Sequence, residues 1–243
     1  MSTLSVQLYS ARDALAEDRP GTLSRIAEIG FTTVELFGFV ELADEYARLL
    51  PQRGLTALSG HAHLVGEDLD AVLGAAKALG MRTVVDPRID VDWNDRAGVA
   101  AAAAGLNAAA AAARDHGIQI GYHNHAQELE GTVDGTPALE VLASLLDEDV
   151  ILEVDTFWAE VGGVAAPALL RRLGKRVTYL HVKDGTLPLS KETQTVVGAG
   201  ALDVPAIVAA APDAVRVIEF DEYAGDIFEA LRASYDYVSG LDA

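Results

Sequence analysis

A chain of 243 residues, half of them hydrophobic, holds enough apolar material for one large α/β domain or two small ones. Its 37 acidic and 18 basic residues give a formal net charge of -19, which repels phosphate backbones and anionic membranes and argues against a nucleic-acid partner. There is no cysteine, so disulfides and thiolate chemistry are excluded and any metal must be held by His and carboxylates.

The opening Met1-Ser2-Thr3-Leu4-Ser5 runs into a strand pattern with no basic leader. Leu4 to Tyr9 reads as the first strand, and a helical stretch restarts at Pro20-Gly21. Thr32 to Phe37 is a second strand, Glu41 to Leu50 a helix stopped by Pro51, and Leu55 to Ser59 a third strand leading into Gly60-His61-Ala62-His63. A helix from Gly66 to Leu79 ends at Gly80, and Arg82 to Val85 is a strand closed by Asp86-Pro87. Asp95 to His116 is an Ala-rich helix whose low complexity reflects alanine's helix propensity, and its small side chains allow a close approach to a sheet. Four more strands follow, beginning at Ile118, Val150, Thr178 and Val215, with helices from Pro137 to Leu146, Pro167 to Leu173, Pro205 to Ala211 and Asp226 to Val238.

Eight strand-helix units with no linker or shift in composition predict a single α/β domain over residues 1–243, a (β/α)8 TIM barrel. The competing architecture is an open doubly wound sheet. The barrel is preferred because four successive strands finish in polar groups, and barrels gather their chemistry at that C-terminal face. No apolar run approaches the roughly 18 residues of a membrane span, so the expectation is a soluble, cytoplasmic protein.

In Thr178-Tyr179-Leu180-His181-Val182-Lys183-Asp184, alternation places Tyr179, His181 and Lys183 on one strand face. Asp155 ends the strand before it and Glu219 the strand after it. Carboxylate oxygens and imidazole nitrogens suit hard or borderline divalent ions, and strands fix such groups well. Singly, the Asp is usually a helix cap, the His a satisfied core residue and the Glu solvated; together on successive strands the three point to a metal site. Lys183 and Asp184 read equally as site groups or as an ion pair at a loop entrance. His123 and His125, two residues apart, point the same way; Glu128 follows in the loop, where it and Glu130 also suit plain solvation. His61 and His63 form a second such pair, read as substrate contacts. Gln7, Tyr9, Arg12, Phe37, Phe157 and Trp158 fall at strand exits and would wall a pocket for a small polyol, although aromatic residues are more often core. Gly198-Ala199-Gly200 before Leu202-Asp203 is a flexible turn into a capped helix, with no phosphate-binding fingerprint.

These residues resemble the xylose isomerase-like barrels known as sugar phosphate isomerases/epimerases. The resemblance is carried by Val6-Gln7-Leu8-Tyr9-Ser10-Ala11-Arg12, Tyr122-His123-Asn124-His125-Ala126-Gln127-Glu128, Glu153-Val154-Asp155-Thr156, His181-Val182-Lys183-Asp184, Gly198-Ala199-Gly200 with Leu202-Asp203, and Glu219-Phe220-Asp221-Glu222 with Ser234-Tyr235. It implies a Mn, Mg, Co or Zn ion held by Glu128, Asp155, His181 and Glu219, with His123 as the alternative to Glu128. It also implies proton abstraction next to a carbonyl of a sugar or polyol through a metal-stabilised enediolate. On that reading Glu219, His123 and His125 are the proton-transfer groups, Lys183 orients substrate oxygens, and Asp184 and Asp221 join the substrate contacts. The expected activity is a metal-dependent sugar isomerase or epimerase. The alternatives are a lyase or dehydratase on a keto-sugar, 3-keto-glycoside or keto-inositol, and a non-catalytic sugar-binding barrel. The endonuclease branch, with its larger metal cluster and basic surface, does not match six His and an acidic chain. A homo-oligomer is left open.

Overall fold

The β-branched and aliphatic runs of the chain become eight parallel strands, which in the computed structural model, describing residues 3–66 and 68–241, close on themselves. In chain order they are β1 (Leu4–Gln7), β2 (Thr33–Phe37), β3 (Thr56–His61), β4 (Thr83–Asp86), β5 (Gln119–His123), β6 (Ile151–Asp155), β7 (Val177–Val182) and β8 (Val215–Ile218). Each pairs with its neighbours in sequence, and β8 returns to β1 with Leu4 opposite Arg216 and Val6 opposite Ile218. The expected (β/α)8 barrel is therefore the fold, and the open sheet is not.

Alternation sorts the strand side chains. Val34, Leu36, Leu152, Val154, Leu180 and Val182 face the helices and belong to the main apolar core. A small separate cluster of Ile151, Tyr179 and Val217 lies apart from that core, and the Tyr179 hydroxyl donates to Thr83 Oγ1 at 3.1 Å. The inward positions nearer the C-terminal ends are polar and fully buried: Glu35, Ser59, Glu153, Asp155 and His181. Burying charge is costly unless it is paired or bound to a metal, so this layer is the first structural sign of a site.

The Ala-rich helix spans Arg96–Ala113 and lays Ala102, Ala103, Ala109, Ala110 and Ala113 against the sheet, as its composition predicts. Its N-terminus is capped by Asp95, and those of the Leu69–Ala78, Val204–Ala210 and Ile227–Gly240 helices by Asp68, Asp203 and Asp226. Boundaries differ where a side chain competes for the backbone. The first strand stops at Gln7, not Tyr9, because Gln7 Oε1 accepts the Tyr9 N–H and starts a 3-10 turn over Leu8–Ala11. Helices at Thr156–Val161 and Gln127–Glu130 and two short antiparallel ribbons add to the expected elements. They are too short for a hydrophobic period to announce them.

Candidate functional site

The strand exits are fastened to one another before any chemistry is considered. Asn124 Oδ1 accepts the Asp155 N–H at 3.1 Å and its Nδ2 donates to the Asp155 carbonyl at 3.3 Å, joining the ends of β5 and β6. The Thr156 hydroxyl donates to the His181 carbonyl at 3.0 Å, joining β6 to β7. Ser10 Oγ accepts the Phe220 N–H at 3.0 Å, joining β8 to β1.

Two buried carboxylates form the floor. Glu35 Oε2 accepts from Ser59 Oγ at 2.6 Å, and Glu35 Oε1 accepts from Gln7 Nε2 at 2.9 Å and faces His181 Nε2 at 2.8 Å. Glu153 Oε1 faces His61 Nε2 at 2.6 Å, His123 Nδ1 at 3.1 Å and His181 Nε2 at 3.1 Å, while Glu153 Oε2 is buried with no hydrogen-bond partner. Burial opposes a charge on His61, but Glu35 and Glu153 outweigh it and push its pKa up to about 10. Burial and the neighbouring Glu35 oppose the charge on Glu153; His181 and His61 outweigh them and bring it down to about 2. His123 is different: burial, reinforced by His181, holds it well below the usual imidazole range, and it stays neutral.

Above the floor, Asp155, His181 and Glu219 offer ligand atoms all within 4.8 Å of one another. Asp155 Oδ1 caps the Thr156–Val161 helix by accepting the Trp158 N–H at 2.9 Å, which leaves Oδ2 for the site. His181 Nδ1 lies 2.8 Å from Glu219 Oε2. Burial would lower the His181 pKa, but Glu153 and Glu219 drive it well above the usual value. For Glu219, Lys183 and His181 override burial and keep the carboxylate ionised. Burial lifts Asp155 to about 6 despite Lys183 and His181.

Lys183 is 1% exposed, with Nζ 2.8 Å from Asp155 Oδ2, 2.6 Å from Glu219 Oε2 and 2.7 Å from Asp221 Oδ2. Three carboxylates surround the ammonium, and Asp221 Oδ2 accepts a hydrogen bond from it. Lys183, expected to orient substrate oxygens, is placed among the site's own acids. Asp184 is likewise engaged within the protein. Its Oδ2 accepts the N–H groups of Gly198 and Gly200 and its Oδ1 those of Gly185 and Leu202, at 2.8 to 3.1 Å, so it anchors the loop after β7 and has no capacity left for substrate. Gln7 spends both ends of its amide on Glu35 and Tyr9. Glu128 lies outside the Asp155 group, as does His123, which groups with His61, Glu153 and His181. Glu128 Oε1 accepts the Tyr122 hydroxyl at 2.5 Å and Glu128 Oε2 the His125 N–H at 2.8 Å.

A cavity of about 900 Å³ opens onto the cluster. Among the expected contacts, Tyr9, His61, His63, His123, His125, Trp158, Glu219 and Asp221 line it. Arg12 instead packs over the Tyr9 ring at 4.4 Å and reaches Glu222. Burial, then Lys183, lowers the His125 pKa to about 4, and its Nδ1 has no partner.

A family model described as xylose isomerase-like TIM barrel matches residues 23–214. The chain belongs to that family. Among solved structures, this xylose isomerase-like barrel is similar to a sugar phosphate isomerase/epimerase from Parabacteroides distasonis, at 22% identity and a TM-score of 0.82 over 98% of this chain and 93% of that one. It is similar to the probable 3-DHS dehydratase AsbF of Bacillus anthracis at 11% identity, TM-score 0.77, over 98% of both chains. It also resembles the IolI protein, solved with a zinc atom, at 17% identity and TM-score 0.74, over 99% of this chain and 98% of that one. At these identities the likeness is one of fold. No curated protein matches the sequence significantly.

The donor set of this barrel fits a divalent cation. Asp155, Glu219 and Asp221 surround Lys183, Glu35 and Glu153 face His181, and Glu153 Oε2 lacks a hydrogen bond. Sequence reasoning missed Glu35 and Glu153. The signal was present for both, since Glu153 is two residues before Asp155 and so shares its inward face, and Glu35 interrupts the apolar run of β2. Among the described residues no helix is long and apolar enough to cross a membrane.

Proposed function

We propose that this barrel is a divalent-metal-dependent enzyme that moves a proton at the carbon beside a carbonyl, with sugar isomerisation or epimerisation as the leading reading. The observation that carries it is the convergence of Asp155, His181 and Glu219 at the C-terminal rim, beneath a cavity of sugar-binding dimensions. Family membership and the isomerase/epimerase name of one structural neighbour support the same reading.

Asp155, His181 and Glu219 would hold the ion, which when bound would polarise the substrate carbonyl and stabilise negative charge on its oxygen. The protein's own groups do the rest. Lys183 keeps Asp155, Glu219 and Asp221 oriented. His125 lines the cavity in its neutral form and would accept the proton and return it. Trp158, Tyr9 and Phe37 wall the sugar ring, and His63 and Asp221 meet its hydroxyls.

A lyase or dehydratase is the second reading, favoured by the size of the cavity. At about 900 Å³ it approaches the upper end of small-molecule sites, and Phe37, Val40 and Val72 give one side an apolar wall with space for a leaving group. The probable dehydratase among the neighbours has the same fold.

The test is NMR of a panel of ketoses, inososes and 3-keto-glycosides incubated in D2O with the Mn-loaded protein. Deuterium at the carbon beside the carbonyl in epimerised or isomerised product supports the first reading, and loss of water or aglycone the second. A chain that binds these sugars without exchanging any proton is a binding protein, and the enzymatic proposal is then wrong.

A further inference from the structure

His123 and Glu128 both compete for the last protein position on the ion, and their surroundings differ. Glu128 is fully buried with both oxygens committed, one to the Tyr122 hydroxyl and the Gln127 amide, the other to the His125 N–H. Tyr122 packs in the outer core beside Trp93, on the face of β5 opposite His123. Turning Glu128 into the lumen would strand a buried hydroxyl and a backbone N–H together.

His123 already faces the lumen. With Nδ1–H donating to Glu153 Oε1 at 3.1 Å, its Nε2 is left as a lone-pair donor 3.8 Å from Asp155 Oδ2. Two ligands of one ion at about 2.1 Å lie about 3 to 4 Å apart, so the spacing to Asp155 suits a shared cation, and the ring has to move toward Glu219 to complete a set that it does not join within 4.8 Å. Glu35 does for His181 what Glu153 does for His123. It accepts from Nε2 at 2.8 Å and leaves Nδ1 beside Glu219, and the two rings stand 4.5 Å apart. The floor carboxylates thereby fix both tautomers, the role that outer acidic partners commonly play for ligating imidazoles. The other close group, His61, His123, Glu153 and His181, needs no ion of its own, because each ring has an N–H to donate to Glu153 or Glu35.

We propose that His123 Nε2, and not Glu128, joins Asp155, His181 Nδ1 and Glu219 on the ion, giving a two-nitrogen, two-oxygen set that selects a borderline transition ion such as zinc or cobalt over magnesium. Replacing a carboxylate by an imidazole removes one negative charge and one hard donor, which costs magnesium more than zinc. The inference rests on the metal-dependent reading above.

The test strips the full-length protein with a chelator and titrates it calorimetrically with Zn2+, Co2+ and Mg2+, beside the His123→Gln, Glu128→Gln and Asp155→Ala variants. Zinc is expected to bind more tightly than magnesium, with at least about a 100-fold loss in His123→Gln and under about threefold in Glu128→Gln. X-ray absorption of the zinc-loaded wild type gives a readout that no folding defect can confuse: two imidazoles are expected. One imidazole, magnesium bound as tightly as zinc, or loss of the ion in Glu128→Gln with retention in His123→Gln would overturn the assignment while leaving the metal reading intact. Absence of ion binding in the wild type, matching Asp155→Ala, would overturn the metal reading itself.

Discussion

Asp155 caps a helix with one oxygen and turns the other toward His181 and Glu219, so the capping role leaves room for the proposed one. Its raised pKa of about 6 makes the metal affinity pH-dependent in a defined way. Below about pH 6 the ion displaces a proton from Asp155 and another from the imidazolium of His181, whose pKa is higher still; above pH 6 only the second remains. Calorimetry in buffers of different ionisation enthalpy should therefore count about two protons released at pH 5 and about one at pH 7. Equal counts at both would contradict the assignment. Lys183 gives a second outcome at this scale. Lys183→Met leaves three acids unbalanced in a buried site, and in the metal-free protein this should cost about 3 to 5 kcal/mol, read as a lower urea midpoint. Residue types at strand ends singled out Asp155, His181, Glu219 and His61, and the structure places all four around one cavity floor. The partners of Gln7, Lys183, Asp184 and Glu128 were not legible, because a sequence shows what a side chain can bond, not which neighbour has already claimed it.

The loop after β7 is the element on which the rim depends. Asp184 gathers four backbone N–H groups, and Gln194 from the same loop donates to Asp221 Oδ2 at 2.6 Å and accepts the Asp221 N–H at 2.8 Å. The glycines that read only as a flexible turn have a sterical reason. A Cβ on Gly200 would come within 2.1 Å of Asp184 Oδ1, and Gly198 has φ +89° with the Tyr237 ring against it. Asp184→Ala should lower stability by about 3 kcal/mol in urea denaturation and raise KM by freeing Asp221, since several buried donors lose a charged acceptor at once. Unchanged stability would mean the loop is held elsewhere. Pro, Gly and capping Asp residues marked most helix and strand ends in the sequence, whereas the helices at Thr156–Val161 and Gln127–Glu130 were invisible because one turn or two carries no period.

At the scale of the molecule, the barrel was legible because eight apolar runs alternate with helical stretches, and closure of β8 on β1 turns that count into a cylinder. Closure is what brings residues as far apart as Glu35 and His181 to 2.8 Å and places a buried polar layer above an apolar one. Nothing local in the sequence announces that polar floor; it appears only when strands distant in the chain become neighbours. The central claim, that this rim is a cation site built for chemistry at a sugar carbonyl, is tested most directly by crystals of the protein soaked in Co2+ and measured at the cobalt edge. The account predicts one strong anomalous peak within about 2.0 to 2.3 Å of Asp155 Oδ2, His181 Nδ1 and a Glu219 oxygen. No peak in the barrel, or a peak coordinated by none of these three, would contradict it.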